Sequence, residues 1–116
     1  MPRSRVVEVD MTSNEIVWQY SGDAQFAFYS GHISGCERLP NGNTLVCEGQ
    51  SGRVFELTRD GDTCWEWVSP FTLKTSGGIR GSALFRAHRY FRDGPELAGA
   101  KFDSSTFDDL NRSWGL

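Results

Sequence analysis

The sequence predicts an all-β chain: a partial β-propeller with one full four-stranded antiparallel blade, half of a preceding blade, and a mostly irregular C-terminal tail with a short helix. Three observations carry that reading. First, residues 31–70 divide into four short apolar/polar runs. These are separated by Pro-Asn-Gly-Asn, Gly-Gln-Ser-Gly and Arg-Asp-Gly-Asp, the residues that tight turns demand. Second, four consecutive antiparallel strands in about 40 residues is the size of one propeller blade. Third, the pattern recurs within the chain. Arg5-Val6-Val7-Glu8-Val9 returns as Arg53-Val54-Phe55-Glu56-Leu57, and Trp18-Gln19-Tyr20 returns as Trp65-Glu66-Trp67 at an offset one residue shorter.

Taken in order, residues 5–20 match only the second half of the repeat, so residues 1–22 are expected to be the third and fourth strands of a preceding blade. Residues 23–70 then supply an inter-blade loop and the complete blade. Within the loop, Phe26, Phe28 and Tyr29 read as an inter-blade packing patch rather than the lining of a site, because aromatic side chains bury large apolar areas. The first blade strand is expected at Ser34–Leu39 and the second at Thr44–Glu48. Asn41-Gly42 between them suggests a type I′ hairpin with Leu39 opposite Thr44. Arg53–Leu57 alternates with period two.

The fourth strand, Cys64–Val68, has two possible registers. A two-residue Asp60-Gly61 turn sets Trp65 opposite Glu56 and Leu57 opposite Cys64. A five-residue loop sets Leu57 opposite Trp65 and Phe55 opposite Trp67. The second gathers the large apolar groups on one face and is the expected one.

After Pro70 the pattern changes, and residues 71–116 are read as a Gly-rich loop, one further strand and a short helical tail. Ser76–Ser82 lacks the spacing of a phosphate-binding loop. Ala83–Tyr90 is expected to be the further strand. Gly94-Pro95-Glu96-Leu97-Ala98-Gly99 suggests a helical turn with Pro at its first position. Ser105–Leu110 has the look of a helix start, with Phe107, Leu110 and Trp114 on one face.

Composition narrows the partners. Of 116 residues, 38% are apolar and 13% aromatic, enough for a packed core. The net charge of −3, from 15 acids and 12 bases with no basic cluster, disfavours a nucleic-acid surface. No run approaches the roughly 20 apolar residues of a membrane span, so no membrane partner is expected. A propeller needs roughly four to eight blades to close. The half blade therefore predicts either the C-terminal piece of a longer propeller or a short chain that assembles, with self-association or missing blades as partners. No secretory signal precedes Val6. A true start at Met1 implies a cytoplasmic protein, and a piece of a longer chain leaves the periplasm or export open.

Candidate chemistry is sparse. Cys36 and Cys47 flank Asn41-Gly42 symmetrically, so the hairpin could set them within disulfide reach, but small buried hydrophobes is the expected role for all three cysteines. No Cys-x-x-Cys is present, and two distant histidines give no metal-ligand spacing, so neither metal nor cofactor is expected. His32, on the loop entering the first blade strand, is the candidate nucleophile or general acid–base. The bland alternative is a loop histidine bonded to backbone or solvent. Arg86, His88 and Arg89 form a cationic neighbourhood that could hold an anion, or its arginines pair with surplus acids.

Arg38-Leu39-Pro40-Asn41-Gly42-Asn43-Thr44-Leu45, then Gly52–Leu57 and Trp65-Glu66-Trp67-Val68, resembles the blade repeat of the bacterial arylsulfotransferase-like β-propellers. Phe85–Tyr90 and Pro95–Gly99 resemble the C-terminal end of such chains, so the resemblance covers residues 4–101. It implies a six-bladed ring that transfers sulfuryl groups between phenols through a sulfated histidine. Small aromatic sulfate esters or phenols would then be the substrates. On that resemblance only His32 stands where such a histidine could sit; the other histidines, arginine and asparagine of the family's site have no counterpart here. Leu-Pro-Asn-Gly-Asn-Thr-Leu also occurs loosely in quinoprotein-type repeats, which implies the alternative of a non-catalytic domain for binding or scaffolding. A WD-repeat reading fails because Trp65 falls in the fourth strand rather than the third.

Overall fold

The computed structural model describes residues 2–23, 27–74, 76–78, 80–113 and 115. Phe26 and Trp114 lie outside the described residues. The chain is mostly β. A hairpin of β1 (Val6–Asp10) and β2 (Glu15–Tyr20) forms one two-stranded sheet. A four-stranded antiparallel meander follows, with β3 (Gly35–Arg38), β4 (Thr44–Glu48), β5 (Arg53–Leu57) and β6 (Thr63–Val68) in sequential order. The Gly-rich stretch contributes a small hairpin, β7 (Leu73–Lys74) with β8 (Arg80–Gly81). The expected turn and helix in the tail are present, as a 3-10 turn at Pro95–Leu97, another at Ser105–Phe107, and α1 (Asp108–Ser113).

The internal repeat extends to pairing geometry. Val6 stands opposite Tyr20 and Glu8 opposite Trp18, with a bulge between Glu8 and Val9. At the repeat-equivalent places Val54 stands opposite Trp67 and Glu56 opposite Trp65, with a bulge between Glu56 and Leu57. A bulge adds one residue to one strand and kinks the pair, so β1–β2 and β5–β6 share one local shape as well as one sequence pattern.

Turn chemistry sets the meander. Gly42 N–H donates to Leu39 O at 2.9 Å, Leu39 N–H donates to Asn43 O at 2.8 Å, and Gly42 has φ 89°. This is a three-residue loop with glycine in the left-handed position. It corrects the expected type I′ turn, which needs positive φ at Asn41 too. Pro40, whose ring presets φ, fits the first central position of an ordinary type I turn instead. Arg38 therefore pairs with Thr44, and Leu39 is displaced by one from the expected partner.

Thr58–Asp62 repeats the device, with Gly61 N–H to Thr58 O at 3.1 Å and Thr58 N–H to Asp62 O at 2.8 Å. That short loop overturns the long-loop register of β6: Phe55 faces Glu66, Glu56 faces Trp65, and Leu57 faces Thr63. The reason is that the inner strands β4 and β5 bury apolar side chains on both faces, so nothing forces all large apolar groups onto one of them.

The first face carries Val46, Phe55 and Leu57. It packs against Phe28 and against Val6, Trp18 and Tyr20 of the β1–β2 sheet. Phe28 thus serves packing, meeting Phe55 edge-on with ring centroids 5.6 Å apart. The second face carries Leu45, Cys47 and Val54 with Leu39, and is covered by Leu84, Ala87 and Phe91. Residues 82–91, expected in part as a strand, form no strand. They run as an irregular strap over the second face, tied at one end by Leu84 N–H to Gly49 O at 2.8 Å.

The cysteines do not pair. Cys36 stands opposite Val46 and Cys47 opposite Gly35, so the two sulfurs belong to opposite faces. All three are free, and only Cys47 is buried; the exposure of Cys36 and Cys64 corrects the expectation that all three are core residues.

Candidate functional site

Three groups of polar residues stand out once the two faces are in place: the His32 loop, the buried glutamates of β4 and β5, and the strap.

The His32 loop is held through its backbone. Ser30 Oγ lies 2.8 Å from both His32 O and Ile33 O, Gln50 N–H donates to Ser30 Oγ at 3.1 Å, and Gly31 N–H donates to Gln50 Oε1 at 2.7 Å. Ile33 takes φ 44°, left-handed backbone that a β-branched residue rarely adopts, at a cost of order 1–3 kcal/mol. The His32 side chain itself is exposed, and among the described residues no hydrogen bond to its imidazole is present. A catalytic imidazole needs a group that fixes its tautomer and direction.

In the arginine–histidine trio, His88 and Arg89 line one groove and each has an acidic partner. Arg86 is exposed. His88 Nδ1 lies 3.4 Å from Glu37 Oε2, both at the surface. Arg89 pairs with Glu56 at 2.7 Å and stacks its guanidinium over Trp65, 4.7 Å from the ring centroid. It fills the ion-pair role that the sequence left open as an alternative to anion binding. The adjoining open cleft, about 510 Å³, is lined by Glu37, Asp93 and Glu96 beside the engaged Arg89.

The buried glutamates were not singled out by the sequence. Glu56, 3% exposed, accepts from Asn43 Nδ2 at 2.8 Å and Asn41 Nδ2 at 3.3 Å as well as Arg89. Glu48, 5% exposed, accepts from Tyr29 N–H at 3.0 Å and from Arg53 at 3.1 Å. Both are therefore satisfied structural acceptors. The signal for the first lies in the two asparagines that bracket Gly42. Among the described residues, no group of three or more His, Cys, Asp or Glu side chains is placed to hold a metal.

The two sheets are joined by charge as well as by the aromatic core. Glu8 binds both Arg38 and Arg59, the second at 3.1 Å. Arg38 lies over Trp18 at 4.9 Å from its ring centroid, and Trp18 Nε1 donates to Arg59 O at 2.8 Å. The outer face of β1–β2 is open, with Val7, Val9 and Ile16 38%, 42% and 48% exposed. Comparison with protein-family models, curated proteins and solved structures finds no match for this chain.

Proposed function

We propose that the chain is a β-propeller-type repeat module that works as a binding or scaffolding surface rather than as a catalyst. The supporting observation is the contrast between its polar and apolar groups. The buried acids Glu48 and Glu56 are engaged by Arg53 within the meander and by Arg89 of the strap, and the partly exposed Glu8 ties the two sheets through Arg38, whereas the aliphatic outer face of β1–β2 is uncovered. A repeat unit buries its apolar faces against neighbours, so a module of this kind acts through what it stacks on.

A second reading follows the resemblance: sulfuryl transfer between phenols through His32, in a larger ring. The observation favouring it is the strained backbone beside that histidine, Ile33 at φ 44°, because strain gathers at functional sites. Transfer of sulfate from an aromatic sulfate ester to a phenol, measured with the chain and with His32→Ala, separates the two. No turnover by either protein is expected on the scaffold reading. Turnover that is lost on His32→Ala overturns it in favour of the enzyme.

A further inference from the structure

The contact that docks β1–β2 on the meander has a counterpart elsewhere in the chain. In the first, Glu8 and Trp18 are cross-strand partners beside a bulge. One arginine from the next sheet, Arg38, ion-pairs with the glutamate and covers the tryptophan. At the repeat-equivalent place, Glu56 and Trp65 are cross-strand partners beside a bulge. One arginine, Arg89, pairs with that glutamate at 2.7 Å and covers that tryptophan at 4.7 Å. A small residue lies two positions before the arginine in both cases. Cys36 sits beside Val6 and Trp18, and Ala87 sits beside Val54 and Trp65. The first arginine comes from a β-strand and the second from the irregular strap, so the same chemical lock is closed by two different backbones.

The fit is incomplete in the second case. Trp65 and Trp67 remain 42% and 40% exposed, and a groove of about 200 Å³ lies between them and Ala87, His88 and Arg89. Their counterparts Trp18 and Tyr20 are half-buried against a whole sheet. The face is thus larger than its occupant.

We propose that the Val54–Glu56–Trp65–Trp67 face is a docking face for an extended segment carrying an arginine two residues after a small side chain, with the strap as its built-in occupant. The inference rests on the repeat-module reading; that reading fails by His32-dependent turnover, whereas this one fails by the exchange and peptide measurements below. Planar stacking plus a carboxylate partner selects arginine over lysine, and the small residue lets the segment approach the sheet between Leu45 and Val54.

The test uses the full chain and a synthetic peptide of residues 82–93. Arg89→Ala is expected to raise the exchange rate of the Leu84 amide, now bonded to Gly49 O, by about tenfold or more, a change worth about 1.4 kcal/mol. The same variant is expected to bind the peptide at least about tenfold more tightly than the wild-type chain does, because the face has been vacated. The peptide with alanine in place of its second arginine, the one matching Arg89, is expected not to bind. Arg89→Lys keeps the charge but not the flat stack, and is expected to give intermediate exchange even where Arg89→Ala fails to fold. Arg86→Ala, on the exposed side of the strap, is expected to behave as wild type. Unchanged Leu84 exchange in both Arg89 variants, equal binding of the two peptides, or an Arg86→Ala effect equal to that of Arg89→Ala overturns the proposal.

Discussion

Glu56 shows how a single residue ties turn, sheet and strap together: its carboxylate is shared by the Asn41 and Asn43 amides and the Arg89 guanidinium. Truncating such a group would leave three donors facing a hole, which is why buried polar clusters tolerate poor substitutions badly. Cys47 and Tyr20 matter for a different reason. Burial pushes the Cys47 thiol up, and burial likewise pushes the Tyr20 hydroxyl up, partly offset by the nearby Arg53 charge. A group whose folded value is raised keeps its stabilising contribution below its unfolded value and loses it as pH rises through the folded one. Melting temperature is therefore expected to fall from about pH 8 upward, through the ordinary thiol and phenol ranges. The alkaline decline should shrink in Cys47→Ala and in Tyr20→Phe, and identical declines in wild type and both variants would refute the assignment. Thiol labelling gives an independent check: Cys36 and Cys64 should react in the native chain and Cys47 only on unfolding.

At the scale of elements, the strands were legible because their turns are written in residue chemistry. Thr44–Glu48 and Arg53–Leu57 fall where the alternation and the flanking Gly, Asn and Pro place them. The register of β6 was not legible. It depends on the Glu56/Leu57 bulge and on a second apolar covering, neither of which has a local signature. The strap escaped for the same reason: Leu84, Ala87 and Phe91 pack without strand pairing, so no period of two or of helical spacing announces them. Of the candidate site, the individual cations and histidines were visible in the sequence, but their partners Glu37 and Glu56 are decided by which face each strand turns inward. The strap's route is tested at two glycines. A Cβ on Gly49 would lie 2.3 Å from Ile33 O and 2.4 Å from Leu84 O, and one on Gly52, at φ 72°, would lie 2.2 Å from Ser82 O. Gly49→Ala and Gly52→Ala should each cost about 1–3 kcal/mol, through strap displacement and, at Gly52, left-handed strain. Gly77→Ala, facing open space, should cost less than about 0.5 kcal/mol in the same denaturant titration. Equal losses at all three would mean that the strap does not run over this turn.

At the scale of the molecule, surface is in excess. The accessible area is 8890 Å², against roughly 6,300 Å² for a compact monomer of this mass. The radius of gyration is 17.3 Å, against roughly 13 Å for a compact chain of this length. Part of that excess is aliphatic and lies on the outer β1–β2 face, where the second sheet has no covering layer. Concentration-dependent association is therefore expected in sedimentation, weakened by the paired change Val9→Lys and Ile16→Lys, which places like charges at one cross-strand position. A monomer at all concentrations, with a scattering radius near 17.3 Å, would assign the excess to the tail alone.

The sequential order of the meander also sets a timetable. Each strand pairs with the one just before it in the chain, so each of these hairpins closes through short loops, within about 1–10 μs once its residues are available. The β1–β2 hairpin has a different schedule. Its apolar partners Phe55 and Leu57 are made much later, at the usual 5–20 or so residues per second of synthesis. For seconds Val6, Trp18 and Tyr20 have only Phe28 of their final neighbours beyond the hairpin, and this is when a chaperone or a neighbouring nascent chain would meet them first.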